Sequence, residues 1–343
     1  MDKLYFGSDY QEGAHEAVLA RLCETNLLHT SGYGTDVFCN SAQEKIRAAC
    51  DCPDAAVHFL VGGTQTNVTV IDALLRPWQG VVAARTGHVS IHEAGAVEFH
   101  GHKVLELPQT AGKLDAATIR EACAAYWGDE NREHIVMPGL VYLSQPTELG
   151  TLYSRAELTA IRAVCDEYGM ALYVDGARLA YALACPSNDA TLSDLARLCD
   201  AFYIGGTKCG LLFGEAVVIP DGARLPHFFT TMKQHGALLA KGRLLGVQFD
   251  ALFTDGLYER IGAHAVRQAD RLREAFERAG FPLAYGSPTN QIFVAPDNAT
   301  LTRLAENVVF EAWEKLDDQR TVVRFVTSWA TTDEDIPNLI SLL

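Results

Sequence analysis

Seven short apolar runs recur along residues 55–220, at 57–61, 81–84, 104–107, 140–143, 171–174, 202–204 and 216–219. Such near-continuous hydrophobicity suits strands that are buried on both faces. Amphipathic stretches lie between them. In 155–168, apolar residues fall at 158, 161, 164 and 165, a helical period. Strand and helix in alternation predict an α/β fold, with a mostly parallel seven-stranded sheet and crossover helices on its faces. Ligands bind at the carboxyl ends of strands in such sheets, so the polar residues just beyond each run are the first place to look for chemistry.

The texture changes beyond Pro220. Helical stretches over 234–254 and 258–279 are followed by strand-like runs at 291–295 and 322–327, which bracket a helix at 301–315. This predicts a smaller C-terminal α+β unit. The first fifty residues read as an arm with one helix, over 14–27. The expected organisation is an arm and helix over 1–50, a large domain over 51–235, and a linking helix with a small domain over 236–343. With 343 residues, 48% of them hydrophobic, the chain can bury one large core or two modest ones. A formal net charge of −15 argues against nucleic acid and anionic membrane surfaces as partners. No apolar run approaches the length of a membrane span, and no leader-like segment precedes Lys3. Nine cysteines without a CxxC pair suit the reduced thiols of a cytoplasmic enzyme.

Lys208 ends the segment Tyr203-Ile204-Gly205-Gly206-Thr207-Lys208, where two glycines let the backbone approach a ligand closely. An amine at the edge of an apolar, glycine-lined site is expected to lose basicity, as an imine-forming lysine needs. Asp175 opens Asp-Gly-Ala-Arg at the carboxyl end of the run 171–174. Gly62-Gly63-Thr64 follows a strand and opens a helix over about 64–76, offering backbone N–H groups, a hydroxyl and the helix dipole to a phosphate. It lacks the P-loop lysine and the dinucleotide fingerprint, which disfavours a nucleotide. His88, in Gly87-His88-Val89-Ser90-Ile91-His92-Glu93, offers a flat ring. Taken singly these have ordinary explanations: a loop lysine, an N-cap aspartate, a glycine turn. Together, an amine, a carboxylate, a phosphate-sized turn and an aromatic plate are the parts needed to hold pyridoxal phosphate (PLP). Lys208 would form the Schiff base, and Asp175 would protonate the ring nitrogen. A metal site at His88, His92 and Glu93 is not expected, because the spacing does not match the zinc helix motif.

Other residues leave alternatives open. Arg178 either pairs with Asp175 or clamps a substrate carboxylate. Arg324 interrupts an apolar strand, so it is either paired with an acid or set to meet an anionic ligand. Ser8-Asp9 and Tyr33-Gly34-Thr35-Asp36 act only if the arm folds over its own site or a partner's. Lys241 and Arg243 are helix-surface charges, or reach a phosphate across a subunit boundary. His100 and His102, around a glycine, read as a solvated turn. Phe213, Phe228 and Phe229 are available to line a side-chain pocket, though core packing is the commoner job for any one of them.

These segments resemble the threonine aldolase branch of the fold-type I PLP enzymes, the β-eliminating lyases. The resemblance rests on Phe6-Gly7-Ser8-Asp9, Tyr33-Gly34-Thr35-Asp36, Gly62-Gly63-Thr64-Gln65-Thr66-Asn67, His88 with Glu93-Ala94-Gly95-Ala96, Asp175-Gly176-Ala177-Arg178-Leu179, Thr207-Lys208 and Arg324-Phe325-Val326-Thr327. These run in family order through most of the chain. The resemblance implies a PLP-dependent transferase-like fold with Lys208, His88 and Asp175 as catalytic residues. It assigns cofactor contacts to Gly63, Thr64, His88, Asp175, Arg178, Thr207 and Lys208, and the substrate carboxylate to Ser8, Arg178 and Arg324. The implied reaction is cleavage of a β-hydroxy-α-amino acid, threonine or phenylserine, to glycine and an aldehyde. The implied assembly is a homodimer or homotetramer with shared active sites. β-Elimination or transamination on the same cofactor is the alternative. A non-catalytic binding protein on this scaffold is disfavoured by the intact Lys208, Asp175 and Arg324.

The chain departs from the family pattern around the reacting side chain. A family Thr-His-Asn-Gly segment, whose histidine engages the β-hydroxyl, is here Gln145-Pro146-Thr147-Glu148-Leu149-Gly150. Thr207 stands where serine is usual. Cys209–Gly214 replaces a proline-containing loop, and Gly236–Arg243 replaces a glycine-rich Arg-Gln segment. Glu148 or His92 is the candidate acid/base group in place of the missing histidine.

Overall fold

All seven apolar runs become strands of one sheet in the structure, a computed structural model that describes residues 3–343. Ahead of them lies the arm, with strand β1 (Leu4–Tyr5) and helices α1 (Glu16–Thr25) and α2 (Val37–Ala49). The apolar pattern predicts a single helix here, and α2 corrects it. This helix starts because the Asp36 carboxylate accepts from the Phe38 and Cys39 N–H groups. It persists because Phe38, Cys39, Ala42 and Ile46 bury one face.

The large sheet is built from β2 (Ala56–Leu60), β3 (Gln79–Ala84), β4 (Val104–Leu107), β5 (Met137–Ser144), β6 (Ala171–Asp175), β7 (Ala201–Gly205) and β8 (Glu215–Ile219). Their spatial order is β2-β8-β7-β6-β5-β3-β4. β8 alone runs opposite to the other six strands. β6, β7 and β8 are buried at every position, as double coverage requires. The cover includes α3 (Gly63–Leu74), the short α4 (His88–Ile91) and α5 (Ala96–Phe99), and α6 (Ala116–Gly128). It continues with α7 (Arg155–Tyr168), α8 (Leu179–Ala184) and α9 (Leu192–Leu198). α7 has the bounds its periodicity predicts, because both ends are signalled. Ser154 and Glu157 form a capping box at its start, and Gly169 takes the left-handed conformation at its end.

Two predictions beyond β8 need correction. The helical stretch over 234–254 is preceded by a separate short helix α10 (Phe228–Gln234), which ends where the stretch is predicted to begin, and only α11 (Arg243–Leu252) within it is helix. Gly236 turns the chain at φ 68°, and Gly242 approaches the arm so closely that a Cβ there would stand 2.5 Å from the Gly34 nitrogen. After α12 (Leu257–Arg278) and β9 (Gln291–Val294), the predicted helix 301–315 survives only as α13 (Asn298–Leu304). The rest becomes β10 (Val308–Val309) and β11 (Glu311–Lys315), followed by β12 (Thr321–Val326) and α14 (Asp335–Ile340). β10 is β-branched and pairs in parallel with β1, while β11-β12-β9 form a small antiparallel sheet.

α12 packs its buried face, which includes Ile261, Leu272 and Phe276, against core on both sides, each such side chain contributing about 1.5–3 kcal/mol. Among the described residues, no helix is long and apolar enough to cross a membrane. The nine cysteines are free thiols, and seven of them are buried.

Candidate active site

Asp175 closes β6 and is buried. Its Oδ2 accepts from Tyr142 Oη at 2.6 Å and Asn67 Nδ2 at 3.0 Å, and its Oδ1 from Tyr203 Oη at 2.5 Å and the Ala177 N–H at 3.0 Å. The two tyrosines come from β5 and β7, the strands flanking β6. Burial raises the Asp175 carboxyl pKa, but His88 and these donors more than reverse the effect and leave it below the usual carboxylate value. The charge is therefore retained at the carboxyl end of the central strands.

Asn67, on the buried face of α3, links this acid to His88. Its amide nitrogen also donates to Glu93 Oε1 at 2.7 Å, and its carbonyl accepts from Tyr173 Oη at 2.8 Å. Glu93 holds His88 Nδ1 at 2.8 Å, which makes Nδ1 a donor N–H and fixes the plane of the ring. The sequence reading assigns no role to Asn67 or Glu93. Both stand inside the quoted motifs, but their partners come from distant segments. α3 itself begins at Gly63, with Gly62 as an extended N-cap that supplies no side-chain hydrogen bond. Thr64 is exposed beside it, and Thr66 Oγ1 is buried without a hydrogen-bond partner.

Lys208 sits in the loop after β7, which Glu215 at the start of β8 anchors. That carboxylate accepts from Thr207 Oγ1 at 2.8 Å and from the Gly206 N–H at 3.0 Å. Thr207 also accepts from the Gly214 N–H, so its hydroxyl holds its own loop. Tyr181 Oη donates to the Lys208 carbonyl. The Lys208 amine makes no hydrogen bond or ion pair among the described residues, and its Nζ lies 6.0 Å from the Tyr10 ring centroid. Burial, then the Arg178 charge, lowers its pKa below that of an ordinary lysine. Burial pushes the Glu215 carboxyl up to about 7.

A cavity of about 250 Å³ opens at Lys208, and His88, Glu148, Arg178 and Arg324 share its wall. Ser8 is not on that wall, although Tyr10 is. The arm thus folds over the site of its own chain. Arg178 pairs bidentately with Asp9, at 2.7 and 2.9 Å, rather than with Asp175. Arg324 donates to Gln291 at 2.8 Å and to Glu311, and its guanidinium lies 5.0 Å over the Trp313 ring. Glu148 Oε1 accepts from Ser144 Oγ at 2.6 Å and the His88 N–H at 2.9 Å.

Several other side chains singled out in the sequence stand away from this cavity. Phe228 is buried in one core cluster and Phe213 packs against another, the commoner job for a phenylalanine, while Phe229 lines a separate cavity with Tyr33. The aromatic wall at Lys208 is instead Trp313, His92 and Tyr10. His102 is not solvated: it is buried, with Nε2 3.1 Å from Asp72, whose other oxygen meets His235 at 3.0 Å. Arg243 donates to the Thr25 and Leu28 carbonyls and ties α11 to the arm, while Lys241 lines another cavity beside it.

The donor set fits PLP on the structure's own terms. An unpartnered amine of lowered basicity and a ring held by a second acid line one cavity. The ionised acid at a strand end is joined to that ring through Asn67 and Glu93. Its partner Tyr203 Oη stands 3.3 Å from where a Gly63 Cβ would lie, at the start of α3. The chain matches the family model described as beta-eliminating lyase over residues 6–324. It is 30% identical over 339 residues to the low specificity L-threonine aldolase of a Pseudomonas species, covering 97% of this chain and 95% of that protein. It is 33% identical over 293 residues to the Pseudomonas aeruginosa enzyme of that name, covering 84% and 83%. A solved structure of Leishmania major threonine aldolase superposes with a TM-score of 0.95 at 43% identity over 98% of each chain. Thermus thermophilus aspartate aminotransferase shares the fold alone, with a TM-score of 0.73 at 16% identity over 99% of this chain and 91% of that one. Because the family match runs from Phe6 in the arm to Arg324 in the cavity wall, and a 30%-identical relative spans nearly the whole chain, the protein belongs to the beta-eliminating lyase family.

Proposed function

We propose that the chain is a PLP-dependent lyase that cleaves the Cα–Cβ bond of a β-hydroxy-α-amino acid, releasing glycine and an aldehyde. The observation that carries this reading is the meeting, in one cavity, of the Lys208 amine with two guanidiniums, the Glu148 carboxylate and His88. The names of the Pseudomonas and Leishmania relatives, threonine aldolases, point to the same reaction.

PLP, when bound, supplies an electron sink conjugated to the substrate Cα. Lys208 would act as a neutral amine, the form that burial and Arg178 favour. Asp175, kept ionised by its donors, would hold the proton on the ring nitrogen. Gly63 and Thr64, at the start of α3, would take the phosphate on backbone N–H groups and a hydroxyl. His88, fixed by Glu93, would lie against the ring. Arg178 and Arg324 would orient the substrate carboxylate, and that orientation selects the bond that stands ready to break. Each arginine already carries one acid, Asp9 or Glu311, so the substrate carboxylate must share the guanidinium or displace the acid.

The reading extends to a homodimer or homotetramer in the cytoplasm. Leu27, Leu28 and Val37 are exposed at 86%, 55% and 66%, which supports a covered arm surface. Nine unpaired thiols support a reducing compartment. The test of the reaction is mass-spectrometric product analysis of the PLP-loaded enzyme with L-threonine and L-phenylserine. Glycine with the matching aldehyde is expected. A keto acid with ammonia, and no glycine, would replace cleavage by elimination.

A further inference from the structure

Cleavage of the Cα–Cβ bond, the reaction proposed above and on which this inference rests, needs a group to take the proton of the β-hydroxyl. Four side chains of the right chemistry line the cavity: His88, His92, Glu148 and Glu311. His88 has Nε2 without a partner among the described residues, but its ring, held by Glu93, is the one assigned to lie flat against the cofactor, and Glu311 is committed to Arg324. His92 makes no side-chain hydrogen bond among the described residues, so nothing fixes its ring, whose nearest aromatic neighbours are His88 at 5.5 Å and Trp313 at 6.2 Å. Glu148 is different. Its Oε1 is anchored by the Ser144 hydroxyl and the His88 N–H, and no described residue engages its Oε2. We infer that Glu148 is the general base, with Oε2 as the proton acceptor.

The anchors give this carboxylate a fixed place. Ser144 ends β5 and stands in register opposite Asp175 on β6. Ser144 Oγ also lies 3.3 Å from Tyr142 Oη, which donates to Asp175. Glu148 is therefore joined through Ser144 and Tyr142 to the acid assigned to the cofactor ring, and through the His88 N–H to the segment that carries the plate. Burial raises its carboxyl pKa above the usual value, which brings it nearer the range in which a carboxylate is an effective base.

In the step so assigned, the O–H bond of the β-hydroxyl breaks and its proton passes to Glu148 Oε2. The oxygen's electron pair forms the aldehyde C=O, and the Cα–Cβ pair is taken into the cofactor's sink. Lys208, freed as it takes up the proton that the incoming substrate ammonium must lose, is placed to deliver that proton to Cα. Glu148 gives its own proton to water, the departing glycine takes one up as its ammonium re-forms, and the sum is one amino acid split into glycine and an aldehyde.

The test is Glu148→Gln in the PLP-loaded enzyme, with Glu148→Asp beside it. The amide keeps an acceptor for Ser144 and His88 but cannot take a proton. Expected is a fall of about 100-fold or more in kcat for L-phenylserine, with KM changed less than threefold or so. The absorbance change on adding glycine, and exchange of glycine's α-proton with deuterated water followed by NMR, should stay within about threefold, because neither touches a β-hydroxyl. Glu148→Asp should recover part of the rate, and Glu148→Gln should lack the acidic limb of the wild-type kcat profile. Full cleavage by Glu148→Gln overturns the inference. Parallel loss of exchange and cleavage also overturns it, since it marks Glu148 as a support for the His88 segment. A wild-type enzyme that exchanges the glycine proton but forms no aldehyde from either substrate counts against the lyase reading itself.

Discussion

At Asp175, burial favours the neutral acid, yet His88, two tyrosine hydroxyls and a backbone N–H hold the carboxyl below its usual range. Glu215 is equally enclosed but has only Thr207 and Gly206 as donors, and there burial prevails, carrying it up to about 7. The two therefore bear on stability with opposite signs. Asp175 contributes fully above its unfolded value of about 4, and the contribution is lost as pH falls through the lower folded value. Glu215 contributes fully below its unfolded value, and the contribution is lost as pH rises to about 7. Thermal melts of Glu215→Gln should accordingly decline less than those of the wild type between about pH 5 and about pH 8; equal slopes would acquit Glu215. Asp175→Asn should keep the fold, because an amide can still accept from one tyrosine. It should lose about 100-fold or more in kcat, checked by steady-state kinetics at saturating PLP, since an amide cannot hold a proton on the ring nitrogen. Lys208, Asp175 and Arg324 were legible in the sequence because each is a charge set in or beside an apolar run. Asn67 was not, since its acid partners stand 26 and 108 positions away and only the fold brings them together.

The strand β11 shows how an element can mislead. Leu301, Leu304 and Val308 satisfy a helical period, and only the first two keep it. Val308 and Val309 pair with β1, and the charged residues Glu311, Glu314 and Lys315 then suit an exposed edge strand. The pairing matters for function because it places Glu311 opposite Arg324 and sets Trp313 in the cavity wall. No phenylalanine from the sequence list reaches that wall. Apolarity was readable, but direction was not. α7 was read correctly because its capping box and terminal glycine announce both ends. The consequence of β11 is a prediction about selectivity. Trp313→Ala should lower kcat/KM for L-phenylserine about tenfold or more while changing L-threonine little, because only the larger side chain reaches the indole face. Kinetics on both substrates decide it. An equal fall for both would make Trp313 a prop for Arg324, whose guanidinium it supports at 5.0 Å.

Across the whole molecule, the arm is the part that the sequence placed least well. Its ties to the body include the pairing of β1 with β10, of Asp9 with Arg178, and of Arg243 with the end of α1. Its Asp9 and Tyr10 serve the site of their own chain, which answers one of the alternatives the sequence left open. The stretch from Leu27 to Val37 goes elsewhere. It lies by α10 and α11, with Lys233 4.9 Å over the Tyr33 ring, and leaves three aliphatic side chains more than half exposed. A net charge of −15 opposes non-specific clustering, so an apolar surface of this kind needs a specific cover, and a second copy of the chain is the cover proposed. Light scattering should then give twice or four times the chain mass for the wild type. Leu27→Asp combined with Leu28→Asp should shift it toward one chain mass, because a buried pair of carboxylates has no partner in a self-complementary contact. If sites are shared, activity falls with the mass as the variant is diluted. A wild type that is monomeric and fully active at assay concentration would leave each chain with a complete site of its own.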